Sequence, residues 1–122
     1  MNIMLIDDDL ECLDSLNAAL RLNGFNVRVF SAPEQALRDY DPSNTDVVIT
    51  DYHFRAMKGD DVIKKIHGNK NNTPVIVVTG DPTDDIETSS RNAGAYAFFR
   101  KPLNIVEIIA ALLELAKNSH NS

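Results

Sequence analysis

The chain has 122 residues, enough for one domain around a single buried core and too few for two. Hydrophobic residues make up 43% and charged residues 25%, a globular composition, and no apolar run approaches the roughly 20 residues of a membrane span. A net charge of −6 works against direct nucleic-acid contact, because that affinity comes largely from Lys and Arg neutralising phosphates.

The first element is an apolar run at residues 3–6 that reads as a strand. No basic region or cleavage site of a secretory signal precedes it, so a soluble, cytoplasmic chain is the expectation. Asp7, Asp8 and Asp9 come next, then Leu10, Leu13, Leu16 and Leu20 at helical spacing. Cys12, the only cysteine, cannot form an internal disulfide and reads as a small apolar helix residue. Residues 27–30 follow as a strand that alternates like an edge, and Pro33 opens a helix over 33–40. The strand at 47–50 leads into Asp51, and the helix at 60–67 opens on Asp60 and Asp61, read as caps and dipole partners. A strand at 75–79 ends on Thr79 before the turn Gly80-Asp81-Pro82, and a helix at 84–93 opens on Asp84 and Asp85. The last pair is a strand at 96–99, followed by Lys101, and a helix at 105–116. Gly24, Gly68 and Gly94 stand near helix ends, and Asn104 near a helix start.

Five strands alternating with five helices predict a (βα)₅ fold: a doubly wound parallel sheet with right-handed crossovers and helices on both faces. Strands one, three and four are almost wholly apolar, as central strands should be, which favours the flavodoxin-like order 2-1-3-4-5. Residues 1–117 are expected to form this domain. Residues 118–122 read as a polar, frayed tail or the start of a linker.

Ligands of such sheets sit beyond the carboxyl ends of the strands. Those ends carry Asp7, Asp8, Asp9, Asp51, Thr79 and Lys101. Carboxylates converging on one corner raise each other's pKa unless a cation compensates them, and an all-oxygen set suits a hard ion such as Mg²⁺ (or Mn²⁺). Asp8 and Asp51 read as direct ligands, Asp7 as a ligand directly or through water, and Asp9 as the cap of the first helix. A carboxylate in that setting can accept a phosphoryl group, and Asp51 is the candidate, with Thr79 supplying a hydroxyl and Lys101 an ammonium. Taken singly, each residue also has an ordinary structural explanation: first-turn acids, a strand-ending threonine, a solvated loop lysine.

In their order and separations, "LIDDD", "VVITDY", "VIVVTG" and "AFFRKPL" resemble the receiver domain of two-component response regulators, over essentially the whole chain. The resemblance implies that Asp7 and Asp8 bind Mg²⁺ and that a histidine kinase or phosphotransfer protein phosphorylates Asp51. Thr79 and Lys101 would contact the phosphoryl group. It further implies that the backbone carbonyl of His53 is a metal ligand and that the Lys101–Pro102 bond is cis. In that family a threonine and an aromatic of strand five switch together, here Thr79 and Phe98. They alter the surface of the fourth helix, fifth strand and fifth helix, which meets an output domain or downstream partner. Lacking a phenolic hydroxyl, Phe98 can be biased only by packing. The positions that tune acyl-phosphate hydrolysis are His53 and Asp81.

The chain departs from the family after the acceptor, where Phe54 and Arg55 replace Met-Pro while Gly59 is kept. The lost proline leaves the loop freer in the unfolded chain, a modest stability effect. His53, His67 and His120 form no pair at metal-ligand spacing. Ile105, Ile108, Ile109, Leu112 and Leu115 make an apolar stripe, which Val106, Ala110 and Leu113 widen into either a broad core face or a partner or homodimer surface. Two other functions compete. A receiver-like adaptor would signal without phosphorylation, yet it has no physical need of Asp8, Asp51, Thr79 and Lys101 together. Asp7-x-Asp9 also resembles the nucleophile motif of haloacid-dehalogenase-like phosphatases, with Asp7 as nucleophile and Asp9 as general acid. Against it, Glu11 stands where that motif prefers Thr or Val, and no later acidic pair completes its metal site.

Overall fold

Five parallel strands form one sheet in the order β2-β1-β3-β4-β5: β1 (Asn2–Ile6), β2 (Asn26–Phe30), β3 (Val47–Asp51), β4 (Val75–Thr79) and β5 (Ala97–Arg100). The helices α1 (Leu10–Leu22), α2 (Pro33–Asp39), α3 (Gly59–His67), α4 (Asp84–Ala93) and α5 (Ile105–His120) alternate with them, so the predicted (βα)₅ order holds. The computed structural model describes residues 1–68, 71–81 and 83–120, the side chains of residues 119 and 120 excepted. Pro82, Asn121 and Ser122 therefore lie outside the described residues. Among those described, no helix is long and apolar enough to cross a membrane.

Because successive strand residues point to opposite faces, each central strand feeds two cores. Ile3, Leu5, Val47, Ile49, Ile76 and Val78 pack with apolar residues of α1 and α5. Met4, Ile6, Val48, Val75 and Val77 pack on the other face with Ala36 of α2 and Val62, Ile63 and Ile66 of α3. β3 and β4 are buried along their whole lengths, and their sequences are apolar up to Ile49 and Val78, with polar residues only at the carboxyl ends. β2 is an edge, and the exposed Arg28, on the same face as buried Phe30, lies over its ring at 5.4 Å. β5 is the other edge: Phe98 packs toward the α3 side and Phe99 toward the α5 side.

Most boundaries shift by a residue, β5 for example running over Ala97–Arg100 where 96–99 was expected, and α5 is longer than expected. Asp51, expected at the end of the third strand, is the last residue of β3, its backbone paired with Val78. α5 continues to His120, so residues 118–120 of the predicted tail extend the helix. Ile108, Leu112 and Leu115 are buried, whereas Val106 (71% exposed) and Leu113 (58%) face outward and lie off the core stripe. The Lys101–Pro102 peptide bond is cis.

α4 is seated differently from the others: Ser90 is its only buried residue. Its carboxyl end needs Gly94, whose φ of 113° is costly for any side chain. A Cβ at Gly94 would also stand 3.3 Å from His67 Nδ1 and 3.5 Å from Ile63 Cγ2, whereas at Gly24 (φ 88°) it would meet nothing within 4 Å. Gly24→Ala is expected to lower the unfolding free energy by about 1 kcal/mol through the backbone alone. Gly94→Ala should cost more, about 2–3 kcal/mol, because crowding adds to the strain. Urea unfolding of the two variants checks the order, and equal losses would contradict it.

Candidate functional site

The carboxyl edge of the sheet is where the apolar strands run out and charge appears. Asp7 follows β1 and is held there by its own N–H, which donates to Phe30 O at 3.1 Å. Its side chain is almost fully buried. Oδ1 accepts the Asp9 N–H at 2.9 Å, and Oδ2 accepts from the Lys101 ammonium at 2.9 Å. Asp8 is exposed beside it. Asp9 turns away, its Oδ1 accepting the N–H groups of Glu11 and Cys12 as the cap of α1. That capping role accounts for Asp9 without any chemistry of its own.

Asp51 is buried at the end of β3, with Oδ1 accepting the Tyr52 N–H at 2.9 Å. Asp7, Asp8 and Asp51 bring carboxylate oxygens within 4.8 Å of one another. Lys101 Nζ lies 3.7 Å from Asp51 Oδ1 while bonded to Asp7, so one ammonium spans two acids. Its backbone is fixed by β4, since Lys101 N–H donates to Thr79 O at 2.8 Å. Thr79 is fully buried, and its hydroxyl oxygen accepts the Asp81 N–H at 3.1 Å.

Burial, and after it the charge of Asp7, pushes the Asp51 carboxyl up from 3.8 to about 6, against the pull of Lys101. Burial works to lower the Lys101 pKa, but the hydrogen bond to Asp7 and the charges of Asp51 and Asp7 outweigh it, and the net direction is up. Cys12 lies near Asp7 and Lys101. Burial raises its thiol to about 11, so it stays neutral and is no nucleophile.

The donor set fits a hard divalent cation: two buried carboxylates and one exposed one converge, with a single partial counter-charge among the described residues. His53 forms an isolated antiparallel bridge with Lys58, made by Gly59 N–H to Tyr52 O (2.7 Å) and Phe54 N–H to Met57 O (3.1 Å). That pattern uses neither polar backbone group of His53, so its carbonyl is left outside the bridge. The bridge brings α3 tightly under Asp51: a Cβ on Gly59 would stand 3.2 Å from Tyr52 Cα and 3.3 Å from Asp51 O. Across the mouth, His53 Nε2 and Asp81 Oδ2 come within 3.8 Å of each other, both exposed. Phe98 lies on β5, partly buried, away from this cluster of charges. His67 sits elsewhere, its Nε2 bonded to Thr73 O at 2.9 Å. The side chain of His120 is outside the described residues.

Sequence reasoning read both Asp60 and Asp61 as caps and dipole partners, which holds for Asp61 and misses the role of Asp60. Asp60 is not simply a first-turn acid: its Oδ2 receives the Tyr52 hydroxyl at 3.3 Å and the Ser89 hydroxyl. Asp61 alone caps α3, accepting the Lys58 N–H at 2.9 Å. Two adjacent aspartates at a helix start carry no signal that separates these roles.

Comparison with known proteins agrees with the geometry. The family model for the response regulator receiver domain matches residues 3–113. The transcriptional regulatory protein CpxR of Escherichia coli K12 is 32% identical over 118 residues, covering 97% of this chain and 50% of CpxR. The transcriptional regulatory protein PrrA of Mycobacterium tuberculosis is 28% identical over 115 residues, covering 94% of this chain and 49% of PrrA. The chain thus spans about half the length of these relatives. Among solved structures, a response regulator receiver domain protein from Clostridium thermocellum superposes with a TM-score of 0.91 at 26% identity, covering 98% of this chain and 96% of that one. A CheY-like receiver domain protein from Methanospirillum hungatei gives 0.87 at 26% identity, covering 99% and 98%.

The raised Asp51 carboxyl has a consequence for stability. Between pH 3.8 and about 6 the folded chain keeps a proton that the unfolded chain releases. The stability this group contributes is therefore full below the lower value and lost as pH rises through the upper one. Asp51→Asn should stabilise the metal-free protein at pH 8 by about 1–2 kcal/mol, less than the roughly 1.4 kcal/mol per pKa unit implies because solvent screens the site. The gain should shrink toward zero at pH 4. Urea unfolding at both pH values checks this, and a gain that grows on acidification would contradict it.

Proposed function

The chain belongs to the response regulator receiver domain family, and on that premise we propose that it accepts a phosphoryl group on Asp51. The donor is a histidine kinase or phosphotransfer protein. The observation that carries this reading is the convergence of Asp7, Asp8 and Asp51 with Lys101 bridging two of them. Asp8, Asp51, the His53 carbonyl and Asp7, directly or through water, would hold Mg²⁺ or Mn²⁺. When bound, the cation supplies positive charge against these acids and the phosphoryl oxygens.

The chain's own residues do the rest by placement. Asp51 is held at the strand end with one oxygen on the Tyr52 N–H. A carboxylate oxygen attacks the phosphorus of the donor's phosphohistidine. The O–P bond forms as the P–N bond breaks, and the electron pair stays on the imidazole nitrogen, which takes up a proton. Lys101 offers its ammonium to the transferred oxygens, already desolvated and aimed by Asp7. Thr79, whose hydroxyl oxygen accepts Asp81 N–H, still has its O–H free to donate a hydrogen bond to a phosphoryl oxygen. Water later attacks phosphorus, releasing phosphate and restoring the carboxylate. The domain is a signalling module in the cytoplasm, and its chemistry is limited to gaining and losing that one group.

The switch runs from Thr79 and Phe98 to the surface of α4, β5 and α5, where an output domain, a downstream protein or a second copy binds. The outward Val106 and Leu113 support that use of α5. CpxR and PrrA are named as transcriptional regulators, which supports an output on transcription through another segment. The net charge of −6 keeps DNA away from this domain. His53 and Asp81 restrict water at the mouth and set the lifetime of the acyl phosphate.

Intact-mass spectrometry after incubation with acetyl phosphate and Mg²⁺ should show one added phosphoryl group. The gain is expected to vanish with Asp51→Asn or with chelator. No gain in the native chain, with no binding of beryllofluoride, would leave an adaptor that works without phosphorylation. Asp81→Ala is expected to shorten the half-life of the phosphorylated form several-fold in a timed mass series; a longer half-life would overturn the role given to the pair.

A further inference from the structure

α4 is joined to the rest of the domain with little buried apolar surface. Its one fully buried residue is Ser90, whose Oγ has no hydrogen-bond partner, and Ile86 and Ala93 are only partly buried. An open groove of about 430 Å³ lies along the seam between α3 and α4, lined by polar residues such as Asp60, Lys64, Asp85 and Asn92. The apolar burial that fastens α1, α3 and α5 is largely missing here.

What crosses the seam is Asp60. Its Oδ2 receives two hydroxyls, that of Tyr52, the residue after the acceptor, and that of Ser89 on α4. Its Oδ1 is buried with no partner. A carboxylate with one oxygen doubly bonded and the other buried and unpaired holds its neighbours but is itself incompletely satisfied. Such an arrangement is easily exchanged for another in which α4 has moved.

We propose that Tyr52, Asp60 and Ser89 form a polar latch that holds α4 against α3 in the unphosphorylated chain and links it to the residue following Asp51. The link to switching rests on the phospho-acceptor reading above. Asp60 acts as a positioning residue: it touches neither the phosphoryl group nor the metal. Opening the latch is part of the cost of moving α4, so weakening it favours the phosphorylated arrangement.

The test uses Ser89→Ala, which removes one donor while improving helix propensity, and Asp60→Leu, which removes the buried unpaired oxygen as well. In the unphosphorylated, metal-free chain, amide exchange within α4 should speed up about three- to tenfold in Ser89→Ala, the worth of one net hydrogen bond, with α1 and α5 unchanged. Asp60→Leu should speed α4 exchange likewise. In Mg²⁺, beryllofluoride should bind both variants tighter than wild type by a similar factor. Unchanged α4 exchange in both variants overturns the latch, and so does unchanged or weaker beryllofluoride binding beside a wild type that binds. A wild type that does not bind beryllofluoride defeats the phospho-acceptor reading instead, and the exchange measurement alone then decides whether the latch exists.

Discussion

Three carboxylates gathered at one end of an apolar sheet repel each other, and the ion pair between Lys101 and Asp7 is what lets the fold hold them there. The pair is short and largely buried, and its ammonium is still within 3.7 Å of Asp51. Removing one partner from such a pair leaves a desolvated charge behind, which is why buried ion pairs are hard to disrupt by halves. One cation does not neutralise three acids, however. The residual repulsion and the burial appear together in the raised Asp51 carboxyl. The site is thus held in a state that gains from added positive charge, which is the physical basis for expecting a divalent cation there.

The sheet makes this arrangement rigid. β3 and β4 are buried on both faces, so Asp51 and Thr79 sit at the ends of elements that cannot shift without opening a core. Lys101 arrives from the edge strand β5, its backbone tied to Thr79 O. Gly59 lets the start of α3 press against Tyr52 and the Asp51 carbonyl, which shapes the loop after β3 from below. The contrast is α4, whose polar seating places the least securely packed helix next to the least relaxed charges. A fold that keeps its strands fixed and one helix loosely seated has a ready means of converting a local charge change into a surface change.

Much of the fold was legible because central parallel strands and amphipathic helices write their burial directly into residue periodicity. The runs at 47–50 and 75–79 could be read as central strands because nothing polar interrupts them. Asp9 was legible as a cap because it stands immediately before a helical leucine pattern, and its side chain does accept two helix N–H groups. The end of α5 was not, since Asn118 and the residues beyond it are polar and a solvated final turn has no periodicity to betray it. Asp60 and Asp61 look alike in the sequence. They diverge because residue 61 falls over the Lys58 N–H while residue 60 faces the neighbouring helix.

By itself the sequence determined the order of elements, the parallel sheet and the set of polar residues at its carboxyl edge, because burial on both faces permits only apolar strands and pushes charge to their ends. Only the tertiary structure decided how those residues divide the work. It placed Lys101 on Asp7 rather than free in a loop, brought His53 and Asp81 face to face, and joined Tyr52 of the loop after β3, Asp60 of α3 and Ser89 of α4. Such pairings join residues distant in the chain, the ion pair across 94 positions, and the packing angle of helices on a sheet sets them. Periodicity records which face a residue occupies, but not what lies opposite.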